Sequence, residues 1–287
     1  MENHLILGID AGNHRVKIAG LHGVDSFKSN ICGWFERDIK EQFGNDDMEF
    51  QVGNRKGFAG TIAQFEDEFG DGTTYGDSKA HEDTKIRILL GIYRYMLKFN
   101  LQIDHISIIT GQPIKQHKES EKNKISEMLI DTHEFTVNNS KVKFTIDKVG
   151  ISPEGSGAFW SNPVNDAIRI IDVGSGTVNM ATISDRRHIH KSSGTMNTGI
   201  ETLRNKNDYE AISRAIFQQA TKLKWNKNDT VYVCGGVTLL LLPFIQNYFV
   251  NVIALQPKLK REYDTLVLEP TYANAVGFYN IAKGVFK

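Results

Sequence analysis

The sequence predicts an α/β protein made of two related halves. Three observations carry that prediction: a strand–glycine turn–strand segment that occurs twice, an alternation of strand and helix patterns, and a late strand that ends in a glycine pair. The 287 residues suffice for one large domain or two ordinary ones.

The repeat comes first. Ile9, Asp10, Gly12, Val16 and Ala19 recur without a gap as Ile171, Asp172, Gly174, Val178 and Ala181. Each copy follows an apolar run, Leu5-Ile6-Leu7 in one and residues 168–171 in the other, and enters a second β-rich stretch. Both therefore read as hairpins around a tight glycine turn. The turn residues suit phosphate. Glycine at 12, 174 and 176 lets backbone N–H groups approach phosphate oxygens, while Asn13, Ser175 and Thr177 add side-chain donors. Lys17 supplies a point charge for a phosphate. Asp10 and Asp172, each at a strand end, are placed to orient waters on Mg²⁺, which keeps several waters and leans on one or two carboxylates. One Asp-x-Gly turn is an ordinary hairpin; two in one chain point to a ligand between them.

Two further segments extend the pattern. Residues 231–237 read as a buried strand ending in Gly235-Gly236 ahead of an apolar helix, a junction at which a flat ring or ribose can press on the backbone. Residues 151–158 place Glu154 in a glycine-rich turn just before the second repeat. Glu154 also reads as an ordinary acid at a helix N-terminus.

Remaining periodicity gives strands over 5–9, 16–20, 104–110, 168–173, 178–183 and 230–234, and helices over 83–99, 118–131, 207–224, 237–248 and 272–284. The first half is expected to span 1–152 and to recover the C-terminal helix, 272–287; the second spans 153–271. Residues 194–199 read as a turn. The run Arg186-Arg187-His188-Ile189-His190-Lys191 reads as a solvated hairpin tip, with His188 and His190 lacking an evident third metal ligand. Phe27, Trp34, Phe35, Phe43, Phe50, Phe58, Phe65 and Phe69 make the first half aromatic-rich, by default as core.

Charge and cysteine content narrow the functions. Thirty-four basic residues balance thirty-four acidic ones, so no global field draws the chain to DNA or to an anionic membrane. Two cysteines are too few for a disulfide framework. The N-terminus lacks the basic and apolar regions of a signal peptide, and the longest apolar run, 237–244, is far short of a span. The expectation is a cytoplasmic protein without direct DNA or membrane contact.

In order along the chain, Asp10–Lys17, Pro153-Glu154-Gly155, Asp172–Thr177, Gly235-Gly236 and Tyr272–Ala282 resemble the phosphate-1, first connecting, phosphate-2, adenosine and second connecting elements of actin-like ATPases. Segments 78–85, 110–114 and 272–279 are similar to those of the ParM/StbA plasmid-partition group. The resemblance implies the actin/Hsp70/sugar-kinase superfold, two RNase H-like halves around a nucleotide cleft, with ATP or GTP and Mg²⁺ as ligands. It also implies a polymer of this chain that hydrolyses nucleotide and moves plasmid DNA through a DNA-binding adaptor on a centromere-like site. Glu154 would position the attacking water, while Asp10 and Asp172 hold the hydrated metal. Only residues 178–234 separate the second phosphate loop from the adenosine strand, which is similar to the compact AlfA-like branch and implies that the small subdomain of the second half is reduced or absent. A small-molecule kinase and a non-polymerising nucleotide switch use the same superfold and stay open as alternatives.

Overall fold

The computed structural model describes residues 4–37, 44–66 and 78–286. The chain opens with a meander, β1 (His4–Ala11), β2 (Arg15–Gly20) and β3 (Gly23–Lys28). Short strands β4 (Ile31–Gly33), β5 (Met48–Val52) and β6 (Arg55–Ala59) follow, then helices α1 (Thr61–Glu66) and α2 (Glu82–Lys98). Strand β7 (His105–Gln112), helix α3 (Glu119–Leu129) and the hairpin β8 (Asp131–Val137)–β9 (Ser140–Pro153) complete this part.

After the one-turn helix α4 (Ser156–Phe159) the pattern restarts with β10 (Ile168–Val173), β11 (Val178–Ser184) and β12 (Arg187–His188). Next come β13 (Gly194–Met196), α5 (Tyr209–Lys222), β14 (Thr230–Gly235), α6 (Thr238–Ile245) and β15 (Asn251–Ala254). A small hairpin, β16 (Lys258–Lys260)–β17 (Thr265–Val267), leads to the C-terminal helix α7 (Ala273–Val285).

Among the described residues the strands form two main sheets, in the orders β3-β2-β1-β7-β9-β8-β5-β6-β4 and β12-β11-β10-β14-β15, with β13 added alongside β11. The same motif sits inside both. β1 pairs antiparallel with β2 and parallel with β7, and β7 runs parallel to β9; β10 pairs antiparallel with β11 and parallel with β14, and β14 runs parallel to β15. The registers also match: Asp10 sits opposite Lys17 and Asp172 opposite Asn179. Parallel strands need crossover helices, which cover both faces and account for the nearly continuous burial of β1, β7 and β10.

The first core joins Leu7, Ile9, Val16 and Ile18 to Ile86, Leu89 and Leu90 of α2. His81 caps α2 by accepting from the Thr84 N–H at 3.3 Å, and Glu82 and Asp83 occupy the first turn, where carboxylates suit the helix dipole. The second core joins Ile171, Val173 and Met180 to Ile212 and Ile216 of α5 and Leu241 of α6. Helix α7 lies on β1 and against α4. That approach requires glycine: a Cβ on Gly8 would collide with the Ala275 carbonyl and the Tyr279 amide, and one on Gly277 with the Gly157 carbonyl.

The strands and helices read from periodicity appear as β1, β2, β7, β10, β11, β14 and α2, α3, α5, α6, α7, with ends shifted by up to three residues. Two expectations are corrected. Residues 194–196 are a strand, β13, paired with β11, and not only a turn. Helix α3 stops at Leu129 because Asp131 already starts β8. Between β11 and β14 the chain builds little beyond β12, β13 and α5, so the second half is compact. Phe27, Phe50 and Phe58 are core residues, whereas Trp34, Phe35 and Phe65 are exposed; Phe43 and Phe69 lie outside the described residues. Among the described residues no helix is long and apolar enough to cross a membrane.

Because the atoms that a Gly8 Cβ meets are backbone, neither partner can yield. Gly8→Ala is expected to lower the unfolding free energy by at least about 2 kcal/mol, within the usual cost of overpacking. Urea denaturation checks this, and a loss below about 0.5 kcal/mol, the range of neutral surface changes, would refute the docking of α7 on β1.

Candidate functional site

The carboxyl ends of the parallel strands in the two sheets meet at one cleft of about 550 Å³. Ligands in open α/β sheets collect at such ends, beyond the last hydrogen-bonded residues. Asp10 comes from β1 and Glu154 from the residue after β9; across the cleft Asp172 comes from β10, and Gly235 and Gly236 from the end of β14 and just beyond it. Gly12, Asn13 and Lys17 line one wall, and Gly174, Ser175, Gly176 and Thr177 line another. Every residue singled out in the sequence as a phosphate, metal or nucleoside contact thus borders the same space.

The two turns face each other: a Cβ on Gly176 would come within 3.7 Å of Asn13 Nδ2. The second turn is closed by the Gly174 N–H donating to the Thr177 carbonyl at 2.9 Å. It is buttressed by Ile200 and Glu201, which also border the cleft and whose N–H groups donate to the Gly174 and Ser175 carbonyls at 3.2 and 2.8 Å. The first turn is tied down by Ser29, whose hydroxyl donates to the Gly12 carbonyl at 2.5 Å. Arg87 of α2 holds Ser29 in turn, donating from Nε to its carbonyl at 2.9 Å. Gly235 adopts φ +106°, a backbone conformation side chains disfavour, with its Cβ position against the Val173 carbonyl.

A profile for the N-terminal domain of actin-like proteins matches residues 8–157, more than half of the chain. The chain belongs to the actin-like proteins. No curated protein sequence matches it. Among solved structures, an AlfA filament bound to AMPPNP superposes with a TM-score of 0.78 at 19% identity, covering 99% of this chain and 100% of that one. The filament of AlfA from B. subtilis plasmid pLS32 gives 0.77 at 18% identity, over 95% and 97%. Ta0583, an archaeal actin homologue in complex with ADP, gives 0.71 at 16% identity, over 98% and 99%. The actin-like fold therefore extends over nearly the whole chain.

Within this actin-like cleft the charges are buried. Asp10, Glu154 and Asp172 are 6%, 6% and 7% exposed, and Lys79 only 9%. Lys17 Nζ contacts Asp10 Oδ2 at 3.0 Å; Lys79 Nζ lies 3.6 Å from Asp10 Oδ1 and forms an ion pair with Glu154 Oε1. Asn179 donates from Nδ2 to Glu154 Oε2 at 3.0 Å, while its Oδ1 accepts from the Ile114 N–H and the Thr195 hydroxyl at 3.2 and 2.8 Å. Asn274 of α7 does the same for Asp172, donating to Oδ2 at 2.9 Å and accepting the Gly155 N–H at 3.1 Å.

The sequence reading assigned no role to Lys79, Asn179 or Asn274. A lysine just ahead of a helix reads as a wet residue, and an asparagine in a strand or helix carries no functional pattern. The signal for Asn179 was in the repeat itself, where it aligns with Lys17. The basic run is exposed, as expected of a hairpin tip, except at His188, which is half-buried and shares a 2.6 Å hydrogen bond between Nδ1 and the Ser156 hydroxyl. Among the described residues no group of three or more His, Cys, Asp and Glu side chains is arranged to hold a metal ion directly.

Burial raises the Asp10 carboxyl, but Lys17 and Lys79 outweigh it and hold that group below its ordinary value. Asp172 has no adjacent ammonium. Burial, then the Glu154 carboxylate, push it up from 3.8 to about 6 against the Asn274 hydrogen bond. Between those two values the folded chain keeps a proton that the unfolded chain has lost, so the stability associated with Asp172 falls as pH rises through the window. Asp172→Asn is accordingly expected to stabilise the nucleotide-free protein by up to about 3 kcal/mol above roughly pH 7, with the gain vanishing below about pH 4. Thermal or urea unfolding across that range checks it; a gain independent of pH would refute the electrostatic origin.

Proposed function

We propose that this actin-like chain is a nucleotide-dependent polymerising ATPase whose filaments move plasmid DNA. The observation that carries the proposal is the pair of facing glycine turns, each following a buried aspartate, with Glu154 held between them in one cleft. Relatives of the same fold support it: one AlfA structure is a filament bound to AMPPNP, another AlfA comes from a plasmid, and Ta0583 binds ADP.

In this reading the halves divide as 1–152 with 272–287, and 153–271. Phosphates lie between the two turns, taking backbone N–H groups at Gly12, Asn13, Ser175 and Gly176, the Thr177 hydroxyl and the Lys17 ammonium, with Gly174 keeping the second turn closed so that the backbone can approach them. The nucleoside lies against Gly235-Gly236, where a Cβ on Gly236 would meet nothing nearer than Thr271 Oγ1 at 3.9 Å. The compact second half leaves few groups to read the base edge, so ATP and GTP are both accepted.

The donor set fits hydrated Mg²⁺. Asp10 and Asp172 approach from opposite sheets, and the upward displacement of Asp172 marks it as a carboxylate short of positive charge. The ion would supply charge neutralisation on the phosphates. Glu154 accepts a hydrogen bond from the attacking water, and Asn179 fixes the carboxylate that does so. The balanced net charge leaves DNA contact to a DNA-binding adaptor protein, with the filament cytoplasmic.

Glu154→Gln keeps size and removes the base, so phosphate release should slow by about 10²–10⁴-fold while nucleotide still binds and filaments persist longer. Turnover, sedimentation and electron microscopy with Mg-ATP check this on one preparation. Unchanged turnover would leave Glu154 a packing role. A monomer at every concentration with ATP bound would favour the switch, and phosphorylation of a small acceptor would favour the kinase.

A further inference from the structure

Lys79 is a buried cation of the site that the account above leaves without a task. It stands three residues ahead of α2, in the first half, yet its ammonium reaches the carboxylate expected to handle water. Lysine is seldom buried, because its ammonium hydrates strongly and its stem loses rotamers. Something must hold it there.

Gln112 provides the hold. This side chain is fully buried at the end of β7, the strand between β1 and β9. Its Oε1 accepts the Lys79 N–H at 3.0 Å and its Nε2 donates to the Ser78 hydroxyl at 3.2 Å, which also accepts the Ala80 N–H at 3.1 Å. The Gln112 backbone carbonyl accepts the Glu154 N–H at 2.9 Å. One residue thus fixes the main chain of both Lys79 and Glu154, and the ammonium spans Glu154 Oε1 and Asp10 Oδ1. A flexible four-carbon stem on a clamped backbone can exchange one anion for another without moving the chain.

We infer that Lys79 reads the terminal phosphate of the nucleotide, distinguishing a nucleoside triphosphate from a diphosphate. The inference rests on the nucleotide reading of the cleft. With a diphosphate, the ammonium stays on Glu154 and occupies the oxygen that would face water. With a triphosphate, the third phosphate enters beside Asp10 and Glu154, takes the ammonium, and leaves Glu154 Oε1 free to accept from water. Nucleotide state and readiness for hydrolysis are coupled through one side chain. The same exchange reaches α2, since Lys79 lies two residues before its cap His81.

The test compares affinities for AMPPNP and ADP, each with Mg²⁺, in wild type, Lys79→Gln, Lys79→Arg, Glu154→Gln and the Lys79→Gln/Glu154→Gln double variant. The double variant removes the Glu154 carboxylate along with its ammonium and leaves Asp10 paired with Lys17, and nucleotide-free melting temperatures verify that each protein is folded. Lys79→Gln and the double variant should lose AMPPNP affinity by at least about tenfold, as for one hydrogen bond to a charged group, with ADP affinity changed far less. Glu154→Gln should keep the triphosphate preference, and Lys79→Arg should restore most of it. Equal weakening of both nucleotides, or an unchanged preference, would overturn the role of Lys79 while leaving the nucleotide site standing. Binding of neither nucleotide to wild type would sink the site reading and this inference with it.

Discussion

Asp10, Glu154 and Asp172 are buried within a single cleft, the first two against the ammonium groups of Lys17 and Lys79. Taking such charges out of water costs several kcal/mol per ion unless partners and hydrogen bonds compensate. Much of the fold can be read as that compensation. The register of the first hairpin sets Lys17 opposite Asp10, and the identical register of the second sets Asn179 where it reaches Glu154. Gln112 clamps Lys79 to the strand next door, and α7, seated on β1 through Gly8, carries Asn274 across to Asp172. Asp172 is the group left least compensated, which is why its carboxyl is displaced upward. A site that keeps a carboxylate under such tension trades stability for readiness to accept a cation.

Much of this was legible in the sequence because the fold uses its strongest local signals at the site. Glycines were needed where the backbone turns tightly or a ligand approaches, and aspartates where strands end, so the repeat exposed both hairpins and most of the cleft lining. The glycine pair at 235–236 and the Glu154 turn were visible for the same reason. Lys79 and Gln112 were not, because their burial is decided by long-range packing of the α2 lead-in against the end of β7, which no local pattern records. The β5–β6 and β8–β9 hairpins were passed over although β9 carries Val142, Phe144 and Ile146 in alternation with Lys141, Lys143 and Thr145.

Compaction of the second half has a structural consequence beyond economy of chain. Residues 194–203 do not form a separate lobe; they return as β13 beside β11 and then hydrogen-bond through Ile200 and Glu201 to the second turn. Gly199 sits so close to Ser175 that a Cβ there would strike its carbonyl. This segment stiffens the second turn. A rigid turn suits phosphate binding, because preorganised N–H groups lose little entropy on meeting the ligand.

The central claim is that the facing turns hold a nucleotide between them, and calorimetric titration of Mg-ATP into wild type and Gly176→Val tests it most directly. A valine at 176 projects into the open space toward Asn13 and away from the packed core. The account predicts saturable binding to wild type and its loss in the variant, with the nucleotide-free melting temperatures of the two proteins nearly equal. Undiminished binding to a folded Gly176→Val protein, or none to wild type at millimolar ATP, would contradict it.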